Sequence, residues 1–325
     1  MTKRVLVLYR TLSTFVQNDL DLLSQRFEVV PFHYRSELSL PRLVRAVRKV
    51  DLTFSWFACR YAAAAVALSR RFGKRSVVVA GGYDAANVPE IGYGMATRRF
   101  MGAFPRYCFA NADLVLAVSD STAHEVRAMA QPRAMVRVYN GVRCEDFTPV
   151  GEKDRGMALT VGFINGSNAV KKGIRPFVEA ARHLPDMRFL VVGEHVDDVA
   201  AELRRSAAPN VELAGQLPHQ ELVDAYRRAA VYVQASVHES FGISVAEAML
   251  CECVPVVTGN AALPEVVGPC GVTIDRGDPE AIADGVRAAL EKDDGAACRR
   301  RVLETFPLER RRDELFAALD EHLEL

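Results

Sequence analysis

The chain has 325 residues, of which 50% are hydrophobic and 25% are charged, and its formal net charge is zero. This length exceeds one ordinary domain, and the composition excludes a largely disordered chain. The longest apolar stretch, residues 61–68, is far too short to cross a bilayer.

In the first half, short apolar runs rich in β-branched residues alternate with amphipathic helical stretches. The predicted strands cover residues 5–9, 28–32, 52–55, 76–80, 114–119 and 136–139. Between them, residues 40–50 carry leucines and valines on one helical face and basic residues largely off it. The first half therefore reads as a series of buried strands joined by helices.

The second half repeats this scheme, with strands predicted over residues 159–163, 188–192, 211–214, 231–234 and 254–258. Asp278 followed by Pro279 predicts a helix start. Strands buried on both faces and separated by helices are typical of parallel sheets. We therefore predict two Rossmann-like doubly wound α/β domains that face each other across a cleft. The polar run 147–154 places the boundary, giving domains at 1–148 and 149–307 and a last helix over 308–325.

Residues 231–249 carry the most chemical information, because they predict a strand, a turn containing glycine and then a helix. The N–H groups at such a helix start favour negative charge, so we expect a diphosphate to bind there. Glu239 lies on the turn and Glu247 in the helix, and carboxylates accept hydrogen bonds from sugar hydroxyls. Alternatively, Ser244 and Glu247 have capping-box spacing, and Glu247 then only closes the helix start.

Other nucleotide-binding motifs are missing from the sequence. The string nearest to G-x-G-x-x-G, residues 92–97, lacks the last glycine and a preceding strand, and no P-loop occurs. A dinucleotide-binding oxidoreductase is therefore disfavoured.

A family resemblance rests on several runs of the second half. His-Glu-Ser-Phe-Gly at 238–242, continued to Glu247, and the later runs Pro-Val-Val-Thr at 255–258 and Leu-Pro-Glu-Val-Val at 263–267 resemble the retaining glycosyltransferases of family 4. Those "group 1" enzymes have the two-domain GT-B fold. Further agreement comes from Asn-Gly-Val at 140–142, Lys-Gly at 172–173 and Val-Val-Gly-Glu at 191–194. The resemblance is close over residues from about 135 to 290 and loose before them.

The resemblance implies a hexosyl transfer from a nucleotide diphosphate sugar to an unknown acceptor, with retained anomeric configuration and without a metal or other cofactor. Glu239 would contact the transferred sugar, Glu247 the ribose, and Lys172 would neutralise the departing diphosphate. The distal phosphate would be held by the backbone N–H groups of Phe241, Gly242 and Ile243. The resemblance also implies that the last helix packs back on the first domain.

The sequence departs from the family pattern in two places. An arginine usually follows the glycine that ends the first strand of the second domain, but a longer loop follows Gly162 here. We expect Asn165 or Asn168 in that loop to replace the arginine only partly. A histidine usually follows a strand of the first domain, where this chain has Gly81, Gly82 and Asp84. Asp84 is thus our candidate for a catalytic acceptor-side group, the alternative being an aspartate that caps a helix or turn.

Charge is unevenly distributed along the chain. Residues 1–150 contain 21 Lys and Arg against 12 Asp and Glu, and the remainder carries the opposite imbalance. A basic first half predicts an anionic partner, either a lipid-linked or phosphorylated acceptor or the surface of a membrane contacted peripherally. The alternative is an ordinary solvated helix surface. Seven scattered cysteines without zinc or disulfide spacing favour a cytoplasmic protein.

No metal site is predicted. Asp19 and Asp21 form a D-x-D pattern like the metal site of the other glycosyltransferase fold, but they lie in a predicted helix with a polar face. We therefore expect both at the surface.

Two alternative functions remain open on the same fold. One is a sugar-nucleotide epimerase, which would act on the donor without an acceptor. The other is a non-catalytic sugar-nucleotide-binding protein, which the missing arginine and histidine favour.

Overall fold

The computed structural model describes residues 2–275 and 277–323. Contacts within the chain define two compact units, the first holding residues up to Gly141 and from Leu308 onwards, and the second holding Val142–Pro307. The units thus divide earlier than the predicted boundary after residue 148. None of the described helices is both long and apolar enough to span a membrane.

The first unit contains one parallel sheet of six strands in the order β2-β1-β3-β4-β5-β6. Its elements up to the end of the sheet are β1 Arg4–Tyr9, α1 Thr14–Ser24, β2 Glu28–His33, α2 Leu40–Arg48, β3 Leu52–Trp56, α3 Arg60–Arg71, β4 Arg75–Ala80, α4 Ala103–Asn111, β5 Leu114–Ala117, α5 Asp120–Met129 and β6 Met135–Arg137. All six predicted strands of this half are confirmed within a few residues.

The two faces of this sheet are covered separately. Along β1, Val5 and Val7 belong to one buried cluster, and Leu6 and Leu8 belong to another. Successive side chains of a strand point to opposite faces, so a continuous apolar run means that helices cover both faces. The carboxyl ends of the strands then meet at one edge, where such sheets bind ligands.

The second unit contains another parallel sheet of six strands, in the order β12-β11-β10-β7-β8-β9. Its elements are β7 Asp154–Val161, α6 Gly166–Lys171, α7 Ile174–Ala180, β8 Arg188–Val192, α8 Val199–Ser206, β9 Val211–Gly215, α9 His219–Arg228, β10 Ala229–Gln234, α10 Ile243–Leu250, β11 Val254–Thr258, α11 Leu263–Val267, β12 Val272–Ile274, α12 Pro279–Lys292 and α13 Gly295–Thr305.

Two sequence signals of the second unit had different outcomes. The predicted start of α12 is confirmed, because the Asp278 carboxylate accepts a hydrogen bond from the Ala281 N–H at 2.9 Å. Strand β12, Val272–Ile274, was not predicted from the sequence. It pairs with β11 at the edge of the sheet.

A last helix, α14 (Leu308–Leu323), belongs to the first unit. Its Leu315 and Leu319 are fully buried in the same cluster as Val5 of β1. Its Arg311 binds Asp19 of α1 in a two-pronged ion pair at 2.6 and 2.7 Å, with both side chains almost completely buried. The expectation that Asp19 lies at the surface is therefore wrong, because its partner comes from the other end of the chain.

Candidate functional site

The turn between β10 and α10 holds a helix N-terminus in a fixed position. Gly242 precedes the helix with φ of 96°, a left-handed conformation that favours glycine. Beside it, the Phe241 side chain is 2% exposed, and its ring packs edge-on against Phe306 at 5.2 Å. The first N–H groups of a helix have no partners within it, so the start of α10 at Ile243 can bind an anion.

A lysine of a different segment lies against this turn. The Lys172 ammonium lies 3.4 Å from Oε2 of Glu239, and each side chain is about one fifth exposed, at 19% and 20%. Gly173 follows with φ of 67°, and a Cβ there would lie 2.2 Å from the Ala235 carbonyl oxygen. Only glycine allows this close approach, which brings the end of α6 to the end of β10.

Gly162 supports the same geometry from the end of β7. A Cβ at this position would lie 2.8 Å from Cδ of Lys172. The missing side chain therefore leaves the space through which the lysine passes. The structure thus brings together Glu239, Lys172 and Gly162, which the sequence had placed in one site.

The charges around Glu239 fix its ionisation. Burial alone would raise the pKa of this carboxyl, but the positive charges of Lys172 and Lys171 outweigh burial and hold the pKa below its ordinary value. Burial lowers the pKa of Lys171, while the charge of Glu239 opposes this change. The result is an ionised carboxylate held beside a cation at the start of α10.

A buried polar chain leads from the sheet to Glu239. Gln234 and Ser236 are both fully buried at the end of β10. The Gln234 amide donates to the Ser236 hydroxyl at 2.7 Å, and that hydroxyl lies 3.5 Å from Oε2 of Glu239. The Tyr232 hydroxyl donates to Oε1 of the Gln234 side chain at 2.9 Å. Sequence reasoning missed this chain, although polar residues at the end of an otherwise apolar strand are a readable signal.

Glu247 lies in α10 and is held from a neighbouring helix. Its carboxylate accepts a hydrogen bond from the Tyr226 hydroxyl at 3.0 Å, and burial raises its pKa to about 7. The capping-box alternative is wrong, because the helix starts after Gly242 and the Ser244 hydroxyl instead contacts the Tyr232 hydroxyl at 2.9 Å. The half-buried Glu247 carboxylate therefore has no capping role.

Asn165 has a structural role. It is the N-cap residue of α6, and its side-chain oxygen accepts the Asn168 N–H at 2.8 Å. This bond engages the side-chain oxygen in capping the helix. That the amide nitrogen of Asn165 contacts the donor phosphates stays a prediction.

In the first unit, Asp84 links the ends of two strands. It is fully buried, and its two oxygens accept the N–H groups of Ala58 at 2.7 Å and of Gly82 at 2.8 Å. Burial raises its pKa to about 6. Beside it, Gly81 leaves space for a ring, since a Cβ there would lie 2.4 Å from Phe57. Both carboxylate oxygens are thus engaged by backbone N–H groups, and the acceptor-side catalytic role of Asp84 stays a prediction.

A cavity of about 720 Å³ lies at the carboxyl ends of β1, β2, β3 and β4 in the first unit. It is lined by Tyr9, Arg10, Thr11, Val16, Tyr34, Arg35, Ser36, Trp56, Phe57, Cys59, Arg60, Tyr61, Tyr83, Met95, Met101 and Phe104. Of the run 81–84, which the sequence singled out on the acceptor side, Tyr83 lines this cavity. Several other lining residues, such as Arg10, Arg35 and Phe57, come just after strands of the parallel sheet, where such sheets bind ligands. Within residues 2–275 and 277–323, no group of three or more His, Cys, Asp or Glu side chains is placed to hold a metal ion.

The second unit is similar in sequence to a known family of proteins. Residues 158–292 match the family model described as "Glycosyl transferases group 1". The chain is 30% identical over 206 residues to O-antigen chain mannosyltransferase B of Escherichia coli, covering 56% of this chain and 53% of that protein. It is 31% identical over 233 residues to the GDP-mannose-dependent alpha-mannosyltransferase of Mycolicibacterium smegmatis. That alignment covers 68% of this chain and 58% of the relative. The alignments thus span little more than half the length of these relatives.

The fold also matches solved structures. Anabaena HepE in complex with UDP and glucose superposes with a TM-score of 0.81 at 14% identity, over 98% of this chain and 100% of that one. At this identity the likeness concerns the fold alone. The predicted GT-B fold is confirmed.

Proposed function

We propose that this chain, whose residues 158–292 form a group 1 glycosyl transferase domain, transfers a hexosyl group from a nucleotide diphosphate sugar to an acceptor hydroxyl. The observation that carries the proposal is the Lys172–Glu239 pair, 3.4 Å apart at the start of α10 within that domain. A cation, a carboxylate and a helix N-terminus together match the phosphates and hydroxyls of a sugar nucleotide.

Each group has a role in the proposed reaction. The ionised Glu239 accepts hydrogen bonds from hydroxyls of the transferred sugar, and Glu247 accepts them from the ribose. The helix N-terminus at Gly242 and Ile243 binds the distal phosphate. Lys172 stabilises the negative charge that grows on the diphosphate as the sugar leaves, so the protein supplies the charge that a metal ion would otherwise provide.

We propose that the anomeric configuration is retained. The bond between the anomeric carbon and the diphosphate breaks, and the acceptor oxygen bonds to the same face of that carbon. The acceptor proton passes to a phosphate oxygen of the leaving group. The transition state resembles an oxocarbenium ion, as in glycoside hydrolysis.

The donor is best identified by binding. The relatives named above include a GDP-mannose-dependent enzyme, so the first donors to test are GDP-mannose, UDP-glucose and UDP-N-acetylglucosamine. A nucleotide sugar that binds the folded chain raises its thermal midpoint. The donor with the largest shift is then incubated with candidate acceptors, and the linkage of the product is read by NMR. Transfer in the presence of EDTA tests metal independence, and loss of transfer in EDTA would contradict that part of the proposal.

Glu239→Ala provides the test of the site itself. This variant should lose transfer almost completely and keep its thermal midpoint. Glu221, an exposed glutamate of α9, gives the matched control, and Glu221→Ala should transfer at the wild-type rate. Transfer by the Glu239→Ala variant at the wild-type rate would contradict the proposal.

The same assays separate the alternatives. An epimerase would change the configuration of a sugar carbon in the donor without any acceptor, which NMR of the donor alone detects. A non-catalytic binding protein would show the thermal shift with a donor but no product with any acceptor.

Peripheral contact of the first unit with a membrane is a further part of the proposal, and it fits a lipid-linked acceptor. The support is the basic excess of residues 1–150 and the exposure of Leu38 and Phe100, each 88%. Vesicles of phosphatidylglycerol should cosediment with the chain at low salt and release it at high salt. Equal binding to neutral phosphatidylcholine vesicles would refute the electrostatic contact.

A further inference from the structure

The cavity in the first unit combines an aromatic wall with a basic mouth. Rings form much of its lining, and the Tyr34 and Tyr61 rings pack together at 5.3 Å. Arg10, Arg35 and Arg60 lie on the same lining, and none of the described lining residues is acidic. A largely apolar cavity with a few charged groups is typical of a site for a small ligand, and its volume of about 720 Å³ fits that size class.

Two of these arginines have no side-chain partner within the described part of the chain. Arg10 and Arg35 are exposed, and within residues 2–275 and 277–323 neither guanidinium forms an ion pair or a hydrogen bond. By contrast, Arg4 at the amino end of β1 is paired with Glu28 at 2.9 Å. Two unpaired arginines on one cavity favour an anionic ligand.

One cavity-lining residue carries a buried donor that has no acceptor among the described residues. Trp56 lines the cavity and is 1% exposed, and no group of the described residues accepts a hydrogen bond from its indole N–H. Buried indole N–H groups usually have an acceptor, so the oxygen of a ligand is a suitable partner.

The cavity floor is rigidly held. The Tyr61 hydroxyl donates to the Trp56 carbonyl, and Asp84 ties together the loops that follow β3 and β4. Phe57 adopts φ of 66°, a left-handed conformation that is strained for a non-glycine residue. Such strain is concentrated at binding sites, where surrounding structure enforces it.

We infer that this cavity binds the acceptor and selects one that carries an anionic group, a phosphate above all. Arg10 and Arg35 bind the anionic group, and the aromatic wall packs against the rest of the acceptor. This inference rests on the proposed transfer function, which the donor assays test independently. The phosphate can belong to a soluble sugar phosphate or to a lipid headgroup, since the same arginines recognise both.

The chain carries its own reporter of this cavity, because Trp56 is its single tryptophan. The fluorescence of this residue is titrated with mannose 6-phosphate, with mannose, and with vesicles of phosphatidylglycerol or phosphatidylcholine. Mannose 6-phosphate or phosphatidylglycerol should change the emission in a saturable manner, whereas mannose and phosphatidylcholine should bind at least tenfold more weakly. The response identifies whether a soluble phosphate or a headgroup is preferred.

Substitutions of the arginines test whether they cause the change in Trp56 fluorescence. Arg10→Gln and Arg35→Gln should each weaken binding about tenfold or more, because each removes a charge-assisted hydrogen bond. Arg42→Gln is the matched control, an exposed arginine of α2 outside the cavity lining, and should change binding less than twofold. Donor binding, followed by thermal shift, should be the same in all variants.

Three results would overturn the inference. The first is an equal change in Trp56 emission with mannose and with mannose 6-phosphate. The second is a loss of binding in Arg42→Gln as large as in the Arg10 and Arg35 variants. The third is no change in Trp56 emission with any anionic probe at millimolar concentration. Each can occur while donor binding and transfer are intact, so the inference can fail without the proposed function. If the wild-type chain bound no nucleotide sugar, that result would instead refute the proposed function.

Discussion

Replacing Lys172 with glutamine tests the proposed chemistry most directly. At 3.4 Å, Coulomb's law with an effective dielectric of 20 gives the Lys172–Glu239 pair a gross attraction of about 5 kcal/mol. Both side chains are about one fifth exposed, and solvent screening and desolvation offset much of that energy. The fold should therefore tolerate Lys172→Gln. The donor diphosphate is different, because its charge grows during the reaction. Removing one stabilising group at such a position costs about 2.7–4 kcal/mol, so kcat should fall about 100- to 1000-fold.

The assay is steady-state transfer with saturating donor, and Arg205→Gln, an exposed arginine of α8, is the control. A double variant of Lys172→Gln and Glu239→Gln separates two roles of the lysine. If the lysine only positions Glu239, the double variant will be no worse than Glu239→Gln alone. If it stabilises the leaving group, as we propose, the double variant will be slower than either single variant. A wild-type kcat for Lys172→Gln would refute the reasoning.

Other regions of the molecule give further predictions. Burial raises the pKa of Glu247 to about 7, so the carboxyl is increasingly protonated below that pH and accepts fewer ribose hydrogen bonds. The donor Kd, measured by calorimetry, should therefore rise as the pH falls through about 7, and Glu247→Gln should abolish this dependence. A wild-type Kd that does not vary with pH would argue against ribose binding. Gly162→Ala, whose Cβ would lie 2.8 Å from Cδ of Lys172, should displace the lysine and lower kcat about 10- to 100-fold with little change in thermal midpoint; an unchanged kcat would contradict this. Arg311→Met leaves the Asp19 carboxylate buried without its partner and should lower the free energy of urea unfolding by about 3–5 kcal/mol, whereas adding Asp19→Leu should restore most of it. A loss below about 1 kcal/mol in the single variant would show that the pair matters little.

The fold was predictable because its dominant signal is local. Strands buried on both faces appear as continuous apolar runs, and 188–192 and 254–258 were located to the residue. The signal fails where burial is incomplete or the element is short. The strand predicted over 159–163 is Asp154–Val161 in the structure, since its first residues are polar and exposed.

Contacts between distant segments were beyond sequence reasoning. Asp19 looked like a surface residue because its helix also carries polar positions, but its environment is set by Arg311, 292 residues away. The partner of Glu247 is a similar case. A capping box was plausible from spacing, yet the left-handed Gly242 shifts the helix start, and Tyr226 of another helix reaches the carboxylate.

The proposed donor site and the proposed acceptor cavity differ in how their residues are distributed along the chain. Most of the donor site comes from one strand, turn and helix over residues 231–249, so a single segment carries its pattern. The proposed acceptor cavity is assembled largely from residues at or just after the ends of four strands, including Trp56, Arg10 and Arg35. No spacing connects them, because the sheet order and not the sequence makes them neighbours. Once parallel strands are located, however, the residues just past their carboxyl ends can be taken together. In this chain they form a group of arginines and aromatic residues, and that group is the basis for expecting an anionic acceptor.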